Sequence, residues 1–379
     1  MIYFDQAATS LLKPPAVAAA VARAIETFGN PSRGAYAASL TANRAVYEAR
    51  VLLARLFNCP RPEQVAFAAN ATMAINTALK GIVSAGDHVV TTALEHNSVL
   101  RPLYELCQSR NCSLTVLSAQ QALQKGLPAL AATVQGNTKA FVCTHASNVT
   151  GDLVDIRAAG AICHRHGLYF LLDAAQTAGV FPIDMEKDQI DIVCFTGHKS
   201  LFGPQGTGGL CVREGLSVAP LITGGTGSQT FSQEAPAVMP EHLEAGTINA
   251  HGIAGLRAGL QYIEQRGLSE LRCRQQWLMR RFYEGVAALP QISIYGDFSQ
   301  AERAAVVSLN IGAYDSGQVS DALSEEFGIC TRAGGHCAPL LHKALGTMQQ
   351  GAVRFSFSHF NTEAEIDAAV CAVKSLARQ

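Results

Sequence analysis

Between about residues 15 and 250, short apolar, β-branched runs alternate with segments whose apolar residues recur at helical spacing. The runs QVAFAA (64–69), DHVVTTA (87–93), SLTVLSA (113–119), KAFVCTH (139–145), LYFLLDA (168–174), DIVCFTG (191–197) and TGGLCVR (207–213) predict strands. Helical stretches include VAAAVARAIETF (17–28) after two prolines, LTANRAVYEARVLLARLF (40–57), and DIRAAGAICHRHG (155–167) with a glycine stop. This is the βαβ pattern of an α/β fold whose mostly parallel sheet is covered on both faces. Beyond about residue 255 the pattern changes to two long amphipathic helices (253–288), strands near 291–295, 304–311 and 352–358, and a terminal helix from Glu363. The expected division is a large domain over residues 15–254 and a smaller α+β domain over 255–379, with residues 1–14 folding back onto the latter.

Composition narrows the class. A chain of 379 residues exceeds the length at which one core usually stops growing, so two domains fit. Hydrophobic residues make up 48% and charged ones 16%, which suits a compact enzyme and not a disordered chain. The formal net charge is -1 and no block of like charges occurs, which argues against a nucleic-acid or membrane partner. The opening MIYFDQAATSLLKPP lacks the basic start and apolar core of a signal peptide. Polar residues break every long apolar stretch before membrane-spanning length, and a cytoplasmic location is the expectation. Eleven cysteines, an odd number with no C-x-x-C pair, describe neither a disulfide framework nor a zinc ribbon.

In open α/β sheets ligands gather at the carboxyl ends of the strands, so the residues following each run carry the chemistry. LYFLLDA ends on Asp173, with Gln176 three residues on. A buried carboxylate there needs a partner: a helix N-terminus, a structural cation or the protonated ring nitrogen of a cofactor would each serve. DIVCFTG runs into HKS and sets Lys199 beside an apolar strand, where desolvation lowers the pKa of an amine and readies it for imine formation. Alone it would pass for a surface lysine. An Asp and a Lys ending successive strands are together what pyridoxal phosphate requires. His198 breaks the G-K step of a Walker loop. FAANATMAIN (67–76) turns from strand to helix through small residues, so the N–H groups of Ala71 and Thr72 and the Thr72 hydroxyl suit an anion, although a plain helix cap explains them equally. The glycines of TGGTGSQT (223–230) and EAGTIN (244–249) mark turns as readily as a site.

His96 in LEHNS follows a strand, where a histidine can stack on a flat cofactor or move a proton. Asn148 in HASNVTG follows another and can bond a cofactor hydroxyl or a substrate carboxylate, and each of the two also suits a structural role. Arg354 in VRFSFSHFNT calls for a carboxylate, from protein or substrate. TRAGGHCAPLLH (331–342) sets Cys337 behind Gly334, Gly335 and His336, with core filler, metal ligand and nucleophile all open. Metal is disfavoured. His164 and His166 in CHRHG lie two apart on a helix and face different ways, and no second thiolate stands at ligand spacing from GHC.

Together EHNS, SNVTG, LLDAAQ, TGHKSLFGPQGTG, EAGTIN and RAGGHCAPL resemble, in order and approximate spacing, the class V group of pyridoxal-phosphate enzymes, and within it the cysteine desulfurase and selenocysteine lyase family. The likeness runs from IYFDQAAT at residue 2 to RFSFSHFNTEAE at 354. It implies an aspartate-aminotransferase-like fold and pyridoxal 5'-phosphate held covalently by Lys199. Asp173 would pair with the pyridinium nitrogen, Gln176 with the ring hydroxyl, and His96 would stack on the ring. Thr72, Thr196 and His198 would hold the phosphate, and Thr247 would reach the phosphate of a neighbouring subunit, which implies a homodimer. Asn148 and Arg354 would hold the carboxylate of L-cysteine, or of L-selenocysteine, and Cys337 would accept the sulfur for delivery to an acceptor protein. The released Lys199 amine would take the Cα proton while Asp173 keeps the ring nitrogen protonated. The alternatives are a class V aminotransferase or β-lyase without persulfide chemistry, and a non-enzymatic thiol or metal carrier.

Only a thiolate is nucleophilic, so Cys337 is expected to be partly deprotonated, with His336 or His96 as the source of that bias. The glycines at 334 and 335 predict a mobile loop for a swinging acceptor, limited by Pro339. Gly335 stands where the resembled subfamily usually has a histidine, which removes a general acid or loop-positioning group. Ser32 in NPSRG likewise replaces a histidine frequent in these relatives.

Overall fold

The structure, a computed structural model, describes residues 1–31 and 34–378. Ser32 lies outside the described residues. The described strands are β1 (Ile2–Tyr3), β2 (Val65–Ala68), β3 (His88–Thr92), β4 (Ser113–Leu117), β5 (Thr138–Thr144), β6 (Tyr169–Asp173), β7 (Ile192–Thr196), β8 (Gly208–Val212), β9 (Ile292–Tyr295), β10 (Val306–Ile311), β11 (Ile329–Cys330) and β12 (Val353–Ser356). Seven of them form one sheet in the order β2-β8-β7-β6-β5-β3-β4. All neighbours run parallel except at β8, which is antiparallel to both β2 and β7.

Two covered faces explain why the central runs are apolar at nearly every position. Phe141, Cys143, Phe170, Leu172 and Phe195 enter one core, whereas Ala140, Val142, Leu171, Ile192 and Cys194 enter another. Successive side chains alternate sides because a strand has a period of two. Helices Ala37–Leu56, Ile156–His166 and Ala250–Arg266 line the first core, and Ala71–Ile82 and Asn97–Ser109 the second. The helix Ile156–His166 starts at Asp155, whose carboxylate accepts from Ala158 N–H, and stops at Gly167 with φ 67°. His164 and His166 are exposed in its last turn, where the macrodipole favours them. No helix among the described residues is long and apolar enough to cross a membrane.

The second, antiparallel sheet has the order β12-β10-β9. Helices Leu268–Val286 and Glu363–Leu376 lay Leu278, Phe282, Ile366 and Val373 into its core. Phe4 enters the same core, 6.3 Å and 5.1 Å by ring centroid from Phe355 and Phe357, and β1 pairs in parallel with β11. The helix Ala250–Arg266 spans the expected division at 254/255 and packs throughout with the large sheet, through Ile253, Leu256, Leu260 and Ile263.

A buried cation joins the two sheets. Arg303, fully buried on the β9–β10 connection, lies 3.1 Å from Asp152 Oδ1 and 3.6 Å above the Phe298 ring, and donates to the Thr150 carbonyl. Asp152 Oδ1 also accepts from Asp297 N–H at 2.9 Å. Removing one member of such a pair leaves a buried charge uncompensated, so Arg303→Ala is expected to lower stability by about 3–5 kcal/mol. Urea unfolding measures this, and a loss below about 1 kcal/mol would show that the pair is as weak as a surface one.

Candidate active site

Parallel pairing of β5, β6 and β7 brings their carboxyl ends to one edge of a cavity of about 360 Å³. Its lining includes Ala71, Thr72, His96, Asn148, Asp173, Gln176, Thr196, His198, Lys199, Cys337 and Arg354. Thr247 is not among them. It is exposed on a segment that borders a neighbouring cavity with Met73 and Ile222.

Asp173 closes β6 and is buried, with Oδ1 accepting from Ala175 N–H at 2.9 Å. Burial raises its carboxyl pKa, against the opposing pull of that N–H and of Lys199. Lys199 lies three residues beyond β7. Burial lowers its ammonium to about 8, with Asp173 opposing and Arg354 adding to the fall. No described group hydrogen-bonds its Nζ. One desolvated environment thus drives both groups toward their neutral forms.

Oxyanion-binding groups cluster beside this pair. Asn70 caps the helix Ala71–Ile82 by accepting from Met73 N–H at 2.9 Å, which leaves the Ala71 and Thr72 N–H groups pointing out of the first turn. Thr196 Oγ1 is buried without a hydrogen-bond partner. The His198 ring lies 3.0 Å from Thr9 Oγ1, and burial pushes its pKa down to about 4. An orphaned hydroxyl beside free helical N–H groups fits a phosphate, and a carboxylate with no cation bonded to it fits a protonated ring nitrogen. The residues present therefore suit pyridoxal phosphate.

His96 caps the helix Asn97–Ser109, and its Nδ1 accepts from Ser98 N–H at 3.0 Å. That bond puts the proton of the neutral ring on Nε2, and burial aided by Lys199 lowers its pKa to about 4. Gln176 Nε2 donates to the Ala7 carbonyl at 3.1 Å. Glu95 is fully buried between the ends of β3 and β5, accepting from the Thr92 hydroxyl at 2.5 Å and Thr144 N–H at 3.1 Å. Burial raises its pKa to about 8.

At the other end of the cavity, Arg354 Nη2 lies 2.9 Å from Asp5 Oδ1, and Nη1 donates to the Asn148 backbone carbonyl at 3.0 Å. The carboxylate that Arg354 required is supplied by the protein. Its Nε is buried and unbonded. Asn148 Nδ2 donates to the His336 carbonyl at 2.8 Å, so this side chain braces the cysteine loop while lining the cavity.

The glycines of the loop do not leave it without contacts: Gly334 N–H donates to Ser316 Oγ at 3.2 Å, the Gly334 carbonyl accepts from Ala352 N–H at 3.2 Å, and the Cys337 carbonyl accepts from Asn97 N–H at 2.7 Å. His336 and Cys337 are left-handed at φ 49° and 55°, which these bonds hold in place. Nor does His336 supply a cation for a thiolate. Its ring is buried with Nδ1 3.3 Å from His342 Nε2 and Nε2 3.2 Å from the Arg332 carbonyl, and burial beside Arg354 lowers its pKa to about 3. His96, with its own low pKa, is equally neutral. Cys337 itself is exposed. At Gly335 an added Cβ would meet nothing within 4 Å, so a larger side chain fits there.

Asp5, Thr9, Glu95 and Arg332 went unmarked in the sequence. Their signals, the FDQAAT opening, the EH pair and the arginine five residues before Cys337, all lie inside stretches quoted above. What could not be seen was their convergence from distant segments.

The family profile described as Aminotransferase class-V matches residues 2–369. A probable cysteine desulfurase of Methanothermobacter thermautotrophicus is 32% identical over 371 residues, spanning 96% of this chain and 92% of that protein. The apo structure of a cysteine desulfurase from Thermococcus onnurineus NA1 is similar with TM-score 0.91 at 30% identity, covering 100% of this chain and 94% of the other. A cysteine desulfurase from Escherichia coli gives TM-score 0.88 at 26% identity, with 99% and 94% covered.

The depressed Lys199 pKa has a measurable sign. Below pH 8 the amine is charged in both folded and unfolded chains and the fold bears the full cost of burying it; above 10.5 it is neutral in both. Folded stability therefore rises as pH climbs through that window. In cofactor-free protein Lys199→Met is expected to exceed wild type by about 3 kcal/mol at neutral pH. The gap should close between pH 8 and 10.5 in urea titrations. A gap that ignores pH would refute the buried amine.

Proposed function

The chain belongs to the class V aminotransferase family, with its aspartate-aminotransferase-like, pyridoxal-phosphate-binding fold, and from that premise we propose that it is a cysteine desulfurase. It converts L-cysteine to L-alanine and takes the sulfur onto Cys337. One observation carries this reading: of eleven cysteines, Cys337 alone lines the cavity that holds Lys199 and Asp173. The other cysteines are largely packing groups, and Cys143, Cys194 and Cys211 sit fully buried in the sheet with thiol pKa values raised well above normal.

Bound pyridoxal phosphate would supply the electron sink for a carbanion at the substrate Cα. Ala71, Thr72, Thr196 and His198 would hold its phosphate, Gln176 would bond its ring hydroxyl, and His96 would stack on the ring. Asp173 would pair with the ring nitrogen and favour its protonated form. Arg354 and Asn148 orient the substrate carboxylate. Lys199 would hold the cofactor, and its Nζ would take the substrate Cα proton; an amine with pKa about 8 is partly free base near neutral pH. Cys337 Sγ then bonds to the substrate sulfur as the carbon–sulfur bond breaks; the electron pair of that bond goes to Cβ, which takes up a proton while Cα regains the one removed, leaving a persulfide on the protein and alanine in the cavity. The exposed loop presents that persulfide to an acceptor protein. In a homodimer, Thr247 from the partner copy completes the phosphate site, consistent with its exposure and its place outside the cavity of its own chain.

Incubation with L-cysteine should produce alanine together with the mass of one sulfur atom on Cys337. Cys337→Ser should lose on the order of 100-fold in turnover, about 2.7 kcal/mol of transition-state stabilisation, while keeping the Lys199-bound chromophore. Alanine and sulfide formed by the variant at the wild-type rate would make Cys337 a bystander and the protein a β-lyase.

A further inference from the structure

Behind the exposed Cys337 runs a buried chain of hydrogen bonds. His336 Nε2 lies 3.2 Å from the Arg332 carbonyl, His336 Nδ1 lies 3.3 Å from His342 Nε2, and His342 Nδ1 lies 2.8 Å from Thr347 Oγ1. His336, His342 and Thr347 are all buried, so each polar atom has to find its partner within the protein. Neither His342 nor Thr347 lines the cavity. The chain reaches Cys337 only through the ring of the residue before it.

A single acceptor fixes the direction of this chain. The Arg332 carbonyl can only accept, so the proton of the neutral His336 ring sits on Nε2 and its Nδ1 is bare. A bare Nδ1 needs a donor, which makes His342 Nε2 the protonated nitrogen of that ring. His342 Nδ1 is then bare in turn, and the Thr347 hydroxyl donates to it. Burial lowers the pKa of both rings and keeps them neutral. No other neutral pair of tautomers satisfies all four ring nitrogens.

Backbone pairing anchors both ends. The Arg332 carbonyl also accepts from Arg354 N–H at 2.8 Å, where the two residues bridge antiparallel. His342 belongs to the helix Pro339–Leu345, which begins just past Cys337, and its carbonyl accepts from Thr347 N–H at 2.9 Å. His336 is thus gripped through both ring nitrogens, and through its carbonyl by Asn148. Such a grip suits a residue at φ 49° followed by another at 55°, a backbone that L-residues keep only when their surroundings impose it.

We propose that His342, with Thr347 behind it, is a positioning residue that acts through the His336 ring to hold Cys337 in its left-handed turn, with the thiol at the mouth of the cavity. This rests on the desulfurase reading only in making Cys337 the sulfur acceptor; the hydrogen-bonded chain stands without it.

Asn97 N–H gauges the position of Cys337 without any sulfur transfer. It opens a helix, where no helical carbonyl is in reach, and its partner is the Cys337 carbonyl at 2.7 Å. In the holoenzyme His342→Phe keeps a ring but neither bond, whereas His342→Gln keeps an N–H for His336 Nδ1. Amide exchange at Asn97 should be about tenfold or more faster in His342→Phe and within about twofold of wild type in His342→Gln, with exchange in the large sheet unchanged. The kcat for alanine formation from L-cysteine should fall on the order of 10–100-fold in His342→Phe at an unchanged KM, and recover in His342→Gln. Thr347→Val, which removes only the last donor, should move both readouts the same way by a smaller factor, and it decides the matter should His342→Phe not fold. Nitrogen-15 spectra of wild type should show both rings neutral with the proton on Nε2. Unchanged Asn97 exchange in His342→Phe or in Thr347→Val, a His342→Gln protein as impaired as His342→Phe, a loss confined to KM, or a proton on Nδ1 of either ring would each overturn the proposal. If wild type forms no alanine from cysteine, the desulfurase reading fails while Asn97 exchange still tests His342.

Discussion

The parallel register of β5, β6 and β7 is the constraint on which the site depends. Thr144 pairs with Asp173, and Asp173 with Cys194, two residues before Thr196, so three strand ends meet at one edge. Because both faces of the sheet are covered, polar groups can emerge only at those ends. A carboxylate and an amine fixed there share one poorly solvated environment, which raises the pKa of Asp173 and lowers that of Lys199. The same burial that stabilises the sheet thus prepares an amine that can give up its proton and a carboxylate that seeks one.

The other half of the cavity comes from segments far away in sequence, and apolar burial places them. Phe4, inserted between Phe355 and Phe357, gains roughly 1.5–3 kcal/mol from burial and fixes the six residues that follow it. Asp5 then meets Arg354 and Arg332, the Ala7 carbonyl meets Gln176, Thr9 meets the His198 ring, and Ser10 N–H donates to the His198 carbonyl at 3.0 Å. One extended segment ties the lysine loop to the arginines. Arg303 and Asp152 make the second tie, between the Asn148 loop and the small sheet.

Local sequence showed what local physics determines. Buried strands have to be apolar, so the seven runs of the large sheet stood out, and Asp173 and Lys199 were conspicuous as polar residues at their ends. The direction of β8 was not visible, because an apolar run reads the same either way. The contacts of the cysteine loop were hidden for a related reason. Two glycines suggest freedom, but the loop bonds to Asn97, Asn148, Ser316 and Ala352, none of them adjacent. His336 read as a source of thiolate bias for Cys337, but its ring is bonded to His342 and the Arg332 carbonyl. Arg332 was passed over although it lies five residues before Cys337, since its partner Asp5 stands at the opposite end of the chain.

The loop geometry bears on how the thiol works. Consecutive non-glycine residues in the left-handed region cost about 1–2 kcal/mol each, and His336 and Cys337 both adopt it. A flexible loop would relax such strain, so its presence requires the surrounding bonds to outweigh it. The one from Asn97 N–H to the Cys337 carbonyl begins at the first residue of the helix that His96 caps. The ring at one wall of the cavity and the thiol at its mouth are consequently held by the same turn. With His336 and His96 both neutral, no histidine cation stabilises a thiolate there. The cations that line the cavity with the thiol are Arg332, Arg354 and Lys199, and the two arginines share the carboxylate of Asp5.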